Sequence, residues 1–162
     1  MSTESKNKLR EEVQLLYKGR ALSTYTPSVI AQLESNEHFL CAQDILAYLP
    51  FSDEIPFFDE LRQTNLEKRW FVPSTKGYFF TKIESQENHW VPSSNLTLIL
   101  VPARCANLEG YRLGRGGGWY DRFLQKYEIM HSIVIIPDFA LVVKIPRESH
   151  DIAVKQVLVA TS

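Results

Sequence analysis

The 162-residue chain is poor in cysteine and glycine, with two of the first and seven of the second. Cys41 and Cys105 form no CxxC pair, which excludes a dense disulfide framework and leaves two free thiols suited to a reducing compartment. A formal net charge of −1 removes the basic excess on which nucleic-acid and membrane-surface binding draws. No apolar run nears the roughly 20 residues of a membrane span. Nor does an apolar stretch follow Met-Ser-Thr-Glu-Ser-Lys, as a secretion signal would require. Repeats, low-complexity tracts and long linkers are also missing, so one domain is expected. These absences point to a cytoplasmic protein with no nucleic-acid or membrane partner, expected to act as a monomer.

What is present is ordinary globular material. Apolar residues make up 44% and charged residues 23%, enough to bury a sizeable core at this length. Leu9, Val13, Leu16 and Tyr17 recur at spacings of three and four, predicting an N-terminal helix on which Lys6 and Arg10 share a neighbouring face. A second helix is predicted from Thr26-Pro27, with threonine as N-cap and proline in the first turn. Residues 44–49 and 96–101 read as strands buried on both faces, and 69–72, 77–83, 132–136 and 156–160 as further strands. Helices are predicted over 57–64 and 117–127. This alternation predicts an α/β fold: a mainly parallel central sheet flanked by helices, three-layer, in a single domain. In such sheets the ligand lies beyond the carboxyl ends of the strands.

After the clearest strand comes Gly110-Tyr111-Arg112-Leu113-Gly114-Arg115-Gly116-Gly117-Gly118-Trp119-Tyr120-Asp121. Four of the seven glycines fall within 114–118. Such a cluster costs conformational entropy, and a tight turn whose N–H groups converge on an anion gives it a reason. Arg112 and Arg115 suit phosphate oxygens, while Asp121 suits a magnesium ion bridging them. A P-loop is excluded because Trp119 and Tyr120 stand where lysine and serine or threonine belong. The dinucleotide fingerprint fails too, since Trp119 occupies its third glycine position. From pattern alone, a glycine-rich hairpin with exposed arginines remains open, and Trp119 and Tyr120 can equally serve core packing.

The string Arg-Leu-Gly-Arg-Gly-Gly-Gly-Trp-Tyr-Asp-Arg-Phe-Leu resembles the signature of the 5-formyltetrahydrofolate cyclo-ligase family, Arg-Leu-Gly-x-Gly-x-Gly-Tyr-Tyr-Asp. The resemblance implies that Arg112, Leu113, Gly114, Arg115, Gly116, Gly117, Gly118, Trp119 and Tyr120 hold ATP. Lys6-Asn7-Lys8-Leu9-Arg10 is similar to the family's N-terminal Lys-x-x-Leu-Arg, implying that Lys6 and Arg10 reach the phosphates. The segment from Leu49 to Glu54-Ile55 resembles the stretch that contacts folate, implying that Leu49 and Glu54 seat the substrate. Pro146 to Asp151 resembles the Pro-x-x-x-x-Asp element, implying that Asp151 joins Asp121 in holding Mg2+. The implied reaction is an ATP- and magnesium-dependent ring closure on a formylated folate through a phosphorylated formyl group.

The sequence also departs from that pattern. Pro56 and Phe57 replace an acidic residue and a threonine, and Ala140 and Lys155 replace a glutamine and an aspartate. Residues 84–96 are too few for the expected Gly-Ile-x-Glu-Pro loop. These changes keep two other readings open: a diverged paralogue with the ATP site and another substrate, and a non-catalytic binding domain on the same fold. The histidines are scattered and lack ligand spacing, and His150 beside Asp151 on an extended segment should point to the opposite face.

Overall fold

The computed structural model describes residues 2–75, 77–84, 96–127 and 131–162. His89 and nearly all of the shortened 84–96 stretch lie outside the described residues. The chain opens with α1 (Ser2–Tyr17), a 3-10 turn at Leu22–Tyr25, α2 (Thr26–Glu34) and α3 (Glu37–Cys41). It continues through β1 (Asp44–Leu46), α4 (Phe58–Thr64), β2 (Arg69–Pro73), β3 (Phe80–Lys82) and β4 (Thr97–Pro102). After β4 come the short strands β5 (Cys105–Ala106) and β6 (Arg112–Leu113), then α5 (Trp119–Lys126), β7 (His131–Pro137) and β8 (Gln156–Ala160).

The main sheet has the order β3-β2-β1-β4-β7-β8. All its pairings are parallel except that of β3 with β2. Alternation along the strands makes the three layers, because successive side chains leave a strand on opposite faces. Ile45, Trp70, Leu98, Leu100, Ile133 and Ile135 face one core, under α2, α3 and α4. Leu46, Phe71, Ile99, Val101, Val134 and Ile136 face the other, which Val13 of α1 and Phe123 of α5 close. Burying a side chain of this size contributes about 1.5–3 kcal/mol, so both cores hold the strand ends in place.

Strand order reverses between β1 and β4, which lie side by side while their connections run to opposite edges. That reversal opens a crevice outside the carboxyl ends of the strands, where α/β sheets bind ligands.

Several expectations shift. The strand predicted over 44–49 pairs only over Asp44–Leu46, and that over 77–83 only over Phe80–Lys82. Thr26 is not the N-cap of α2: the 3-10 turn runs directly into the helix, Tyr25 caps it, and the Thr26 hydroxyl donates to Pro56 O at 3.3 Å. The short helix α3 was not expected. Its cap is Asn36, whose side chain accepts from the backbone N–H of His38 and Phe39, the arrangement that asparagine favours at this position.

Candidate functional site

The glycine-rich segment emerges from a small hairpin at the end of β4. Cys105 pairs with Leu113 and Ala106 with Arg112. Its turn is closed by Gly110 N–H donating to Asn107 O at 3.0 Å and by the Asn107 side chain accepting from Tyr111 N–H at 3.0 Å. Gly110 has φ +86°, and a Cβ there would meet Val154 O at 2.2 Å, so only glycine fits. The hairpin raises residues 114–118 over the carboxyl end of the sheet. Gly118, at φ +63°, then caps α5 without any side-chain hydrogen bond. The first N–H groups of α5 therefore face the glycine turn without a capping side chain.

Helix α1 lies along this loop. Arg10 Nε donates to Gly114 O at 3.0 Å, and its guanidinium also faces Gly116. One turn earlier, the buried Lys6 ammonium donates to both Asp151 oxygens at 2.6 and 2.9 Å and to Glu148 at 2.8 Å. Burial alone would lower the Lys6 pKa; the hydrogen bonds to Asp151 and Glu148 outweigh it and raise the value. Sequence reasoning placed Lys6 and Arg10 on one helix face; from it Arg10 reaches the glycine loop and Lys6 the turn at 148–151.

Asp121, in the first turn of α5, accepts from Arg112 Nη2 at 3.0 Å and from Ile152 N–H at 3.1 Å through the same oxygen. Arg112 closes the ring by donating to Ile152 O at 2.6 Å. Asp121 and Asp151 are thereby brought into one neighbourhood at the head of the loop. The Arg112 guanidinium serves as the brace between α5 and the segment before β8. The second Asp121 oxygen accepts no hydrogen bond from the described residues.

Leu49 and Glu54 sit in the loop after β1, on the other side of the crevice. Leu49 is exposed, while the Glu54 carboxylate is nearly buried, accepting from Phe51 N–H at 2.9 Å and from Arg115 at 3.4 Å. Tyr48 and Tyr120 lie within its electrostatic reach. Burial first, then the Glu54 charge, pushes both phenols above their ordinary value. The Tyr120 hydroxyl is buried and has no hydrogen-bond partner among the described residues. Arg115 turns away from the glycine turn and pairs with Asp53 and Glu54.

Trp119 is committed to packing. Its indole N–H donates to Gly77 O at 3.1 Å, and its ring stacks on Phe123 and meets Phe80 edge-on, each with centroids 5.3 Å apart. Leu113 is likewise buried beneath the hairpin. Of the departures, Phe57 is fully buried against Tyr48, Ala140 is buried, and Lys155 is exposed.

Two histidine expectations need correction. His150 and Asp151 lie in a turn rather than an extended segment, so their side chains converge with Glu148, with ligand atoms within 4.8 Å of one another. His38 and His131 are not scattered but stacked, with ring centroids 4.0 Å apart. They flank a cavity of about 230 Å3 at the amino ends of β7 and β8, opposite the glycine loop. A larger cavity of about 520 Å3 adjoins the crevice, lined by Gln14, Tyr17, Lys18, Asp53 and Arg104 among others. Asp53, Arg104 and Glu148 were missed by sequence reasoning, since their partners lie far away along the chain. The acidic pair Asp53-Glu54 was the one visible signal.

No helix among the described residues is long and apolar enough to cross a membrane. The fold resembles that of Aquifex aeolicus 5,10-methenyltetrahydrofolate synthetase, with a TM-score of 0.77 at 22% identity over 96% of this chain and 89% of that one. It is similar also to a 5,10-methenyltetrahydrofolate synthetase from Mycoplasma pneumoniae, with a TM-score of 0.75 at 23% identity over 94% and 97%. In sequence, a Mycolicibacterium smegmatis 5-formyltetrahydrofolate cyclo-ligase is 38% identical over 73 residues, 43% of this chain and only 38% of that protein. The Mycoplasma pneumoniae 5-formyltetrahydrofolate cyclo-ligase is 31% identical over 130 residues, 75% of this chain and 77% of its own length. A model of the 5-formyltetrahydrofolate cyclo-ligase family matches residues 66–160. With more than half of its length matched in this way, the chain belongs to the 5-formyltetrahydrofolate cyclo-ligase family.

Proposed function

We propose that the protein uses ATP to close 5-formyltetrahydrofolate to 5,10-methenyltetrahydrofolate, releasing ADP and phosphate. One observation carries this reading within the family. The glycine-rich turn, the cations of α1 and the pair Asp121 and Asp151 gather in one place, and the loop of Leu49 and Glu54 adjoins them through Arg115.

In the proposed reaction the formyl oxygen attacks the γ-phosphorus, forming an O–P bond as the bond to ADP breaks. The bridge nitrogen then attacks the activated carbon and loses its proton, and the C–O bond breaks with phosphate as leaving group. The protein's work in such a transfer is placement and charge neutralisation. Lys6, Arg10 and Arg112 supply positive charge around the loop, and the N–H groups of 114–118 and of the first turn of α5 face the phosphates. Leu49 and Glu54 seat the pterin. The donor set fits a magnesium ion, because Asp121 and Asp151 are hard oxygen ligands and one Asp121 oxygen accepts no hydrogen bond from the described residues. Asp121 and Asp151 would hold it, and when bound it would neutralise phosphate charge. This reading takes the protein to work as a cytoplasmic monomer.

The altered-substrate reading draws support from Arg104 and Arg115, which gather two guanidiniums beside Asp53 and Glu54 on the side assigned to folate. Turnover separates the two. Purified protein with 5-formyltetrahydrofolate, magnesium and ATP should form methenyl product, seen by its absorbance, one-for-one with ADP. ATP binding without product favours the altered substrate. Neither binding nor product favours the non-catalytic domain.

A further inference from the structure

Asp53 joins two arginines. One of its oxygens accepts from Arg104 Nη1 at 2.5 Å and the other from Arg115. Its partners come from different places: Asp53 follows β1, Arg104 follows β4, and Arg115 belongs to the glycine-rich loop. Each guanidinium also lies over an aromatic ring, Arg104 4.6 Å from the centroid of Tyr17 and Arg115 4.6 Å from that of Phe51. Tyr17 donates its hydroxyl to Arg104 O at 2.7 Å, anchoring that partner to α1. Arg104 is buried, and one carboxylate shared by two guanidiniums is a strong, directional contact.

We infer that Asp53 is a positioning residue: by gripping Arg104 and Arg115 together it fixes the glycine-rich loop against the loop that carries Glu54. The inference rests on the reading of Glu54 as the pterin seat. Within the group the charges balance, two guanidiniums against Asp53 and Glu54. Without the Asp53 charge, Arg115 is left with Glu54 alone, 3.4 Å away, and draws onto the carboxylate the substrate must reach. Burial alone would raise the Asp53 pKa, yet hydrogen bonds from Arg115 and Arg104 hold it below the ordinary aspartate value, as a working grip requires.

The test uses Asp53→Asn, whose side chain is partly exposed and leaves both cores untouched. Loss of a charge-assisted bond should raise KM for 5-formyltetrahydrofolate about tenfold, with KM for ATP and kcat changed far less. Asp53→Glu should recover part of the loss. Adding Arg115→Gln to Asp53→Asn should also recover it, because no cation then competes for Glu54; a merely structural role would leave the double variant as impaired. Hydrogen exchange on the unliganded protein reads the grip without any substrate. The N–H groups of Phe51, Glu54 and Phe57, bonded within the loop, should exchange faster in Asp53→Asn and not in Glu37→Gln, beside the cavity at the opposite end of the sheet. Unchanged exchange overturns the grip. Unchanged KM in an active enzyme overturns its positioning role. A wild-type protein that makes no product overturns the proposed function, and the exchange rates still decide the grip.

Discussion

Lys6 and Asp151, 145 positions apart in sequence, meet in a two-oxygen contact that ties the first helix to the segment before the last strand. The Lys6 ammonium is buried and surrounded by Asp151 and Glu148. Lys6→Met should therefore leave two carboxylates facing one another and cost on the order of 2 kcal/mol at neutral pH. The folded-state pKa of Lys6 is raised above the ordinary 10.5, so this contribution is complete below 10.5 and is lost as pH rises through the folded value. Denaturant titrations of both proteins at pH 7 and in strong alkali check the sign: the difference between them should shrink in alkali. ATP affinity should fall in the same variant.

The glycines separate folding from binding. Gly110→Ala would drive a Cβ into Val154 O and hold alanine at a φ of +86°, so it should lose about 2 kcal/mol or more. Gly114 and Gly117 have no atom within 4 Å of an added Cβ and no positive φ. Gly114→Ala and Gly117→Ala should melt close to wild type and yet bind ATP more weakly, because the methyl group fills space assigned to phosphate. Paired thermal melts and nucleotide titrations measure both halves.

Tyr120 carries a buried hydroxyl with no partner among the described residues. An unsatisfied buried polar group is a cost of about 1–3 kcal/mol that its removal relieves. Tyr120→Phe should thus keep or raise the melting temperature in a thermal melt. A fall in the melting temperature would make the hydroxyl structural.

The two thiols should behave differently. Cys41 is exposed, whereas Cys105 is buried in the hairpin, where burial pushes its pKa up to about 12. A thiol reagent at pH 8 should modify one cysteine of the native protein rapidly and the second only after denaturation. Because the folded thiol titrates higher than the unfolded one, its contribution to stability is present at neutral pH and lost as pH rises toward that folded value.

The layers were legible wherever a strand is buried on both faces. β4 and β7 are continuous apolar runs, and their alternate residues feed the two cores. The loop was legible because glycines concentrated in one place need a backbone reason. Contacts across sequence distance were not legible. Nothing local tells Asp53 that Arg104 and Arg115 will face it, or turns Arg115 from the glycine turn toward Glu54. The hairpin of β5 and β6 has two residues in each strand, too few to show alternation. His150 was misread for a related reason: a tight turn, not an extended strand, sets the direction of its side chain.

The central claim is best tested by following methenyl product with ATP and magnesium present, for wild type beside Asp121→Ala. The account predicts ATP-dependent product from the wild-type protein, matched by ADP, and a loss of at least about a hundredfold in the variant, the scale of removing a group that stabilises transferring charge. Product that forms without ATP, or an Asp121→Ala protein as fast as wild type, would contradict it.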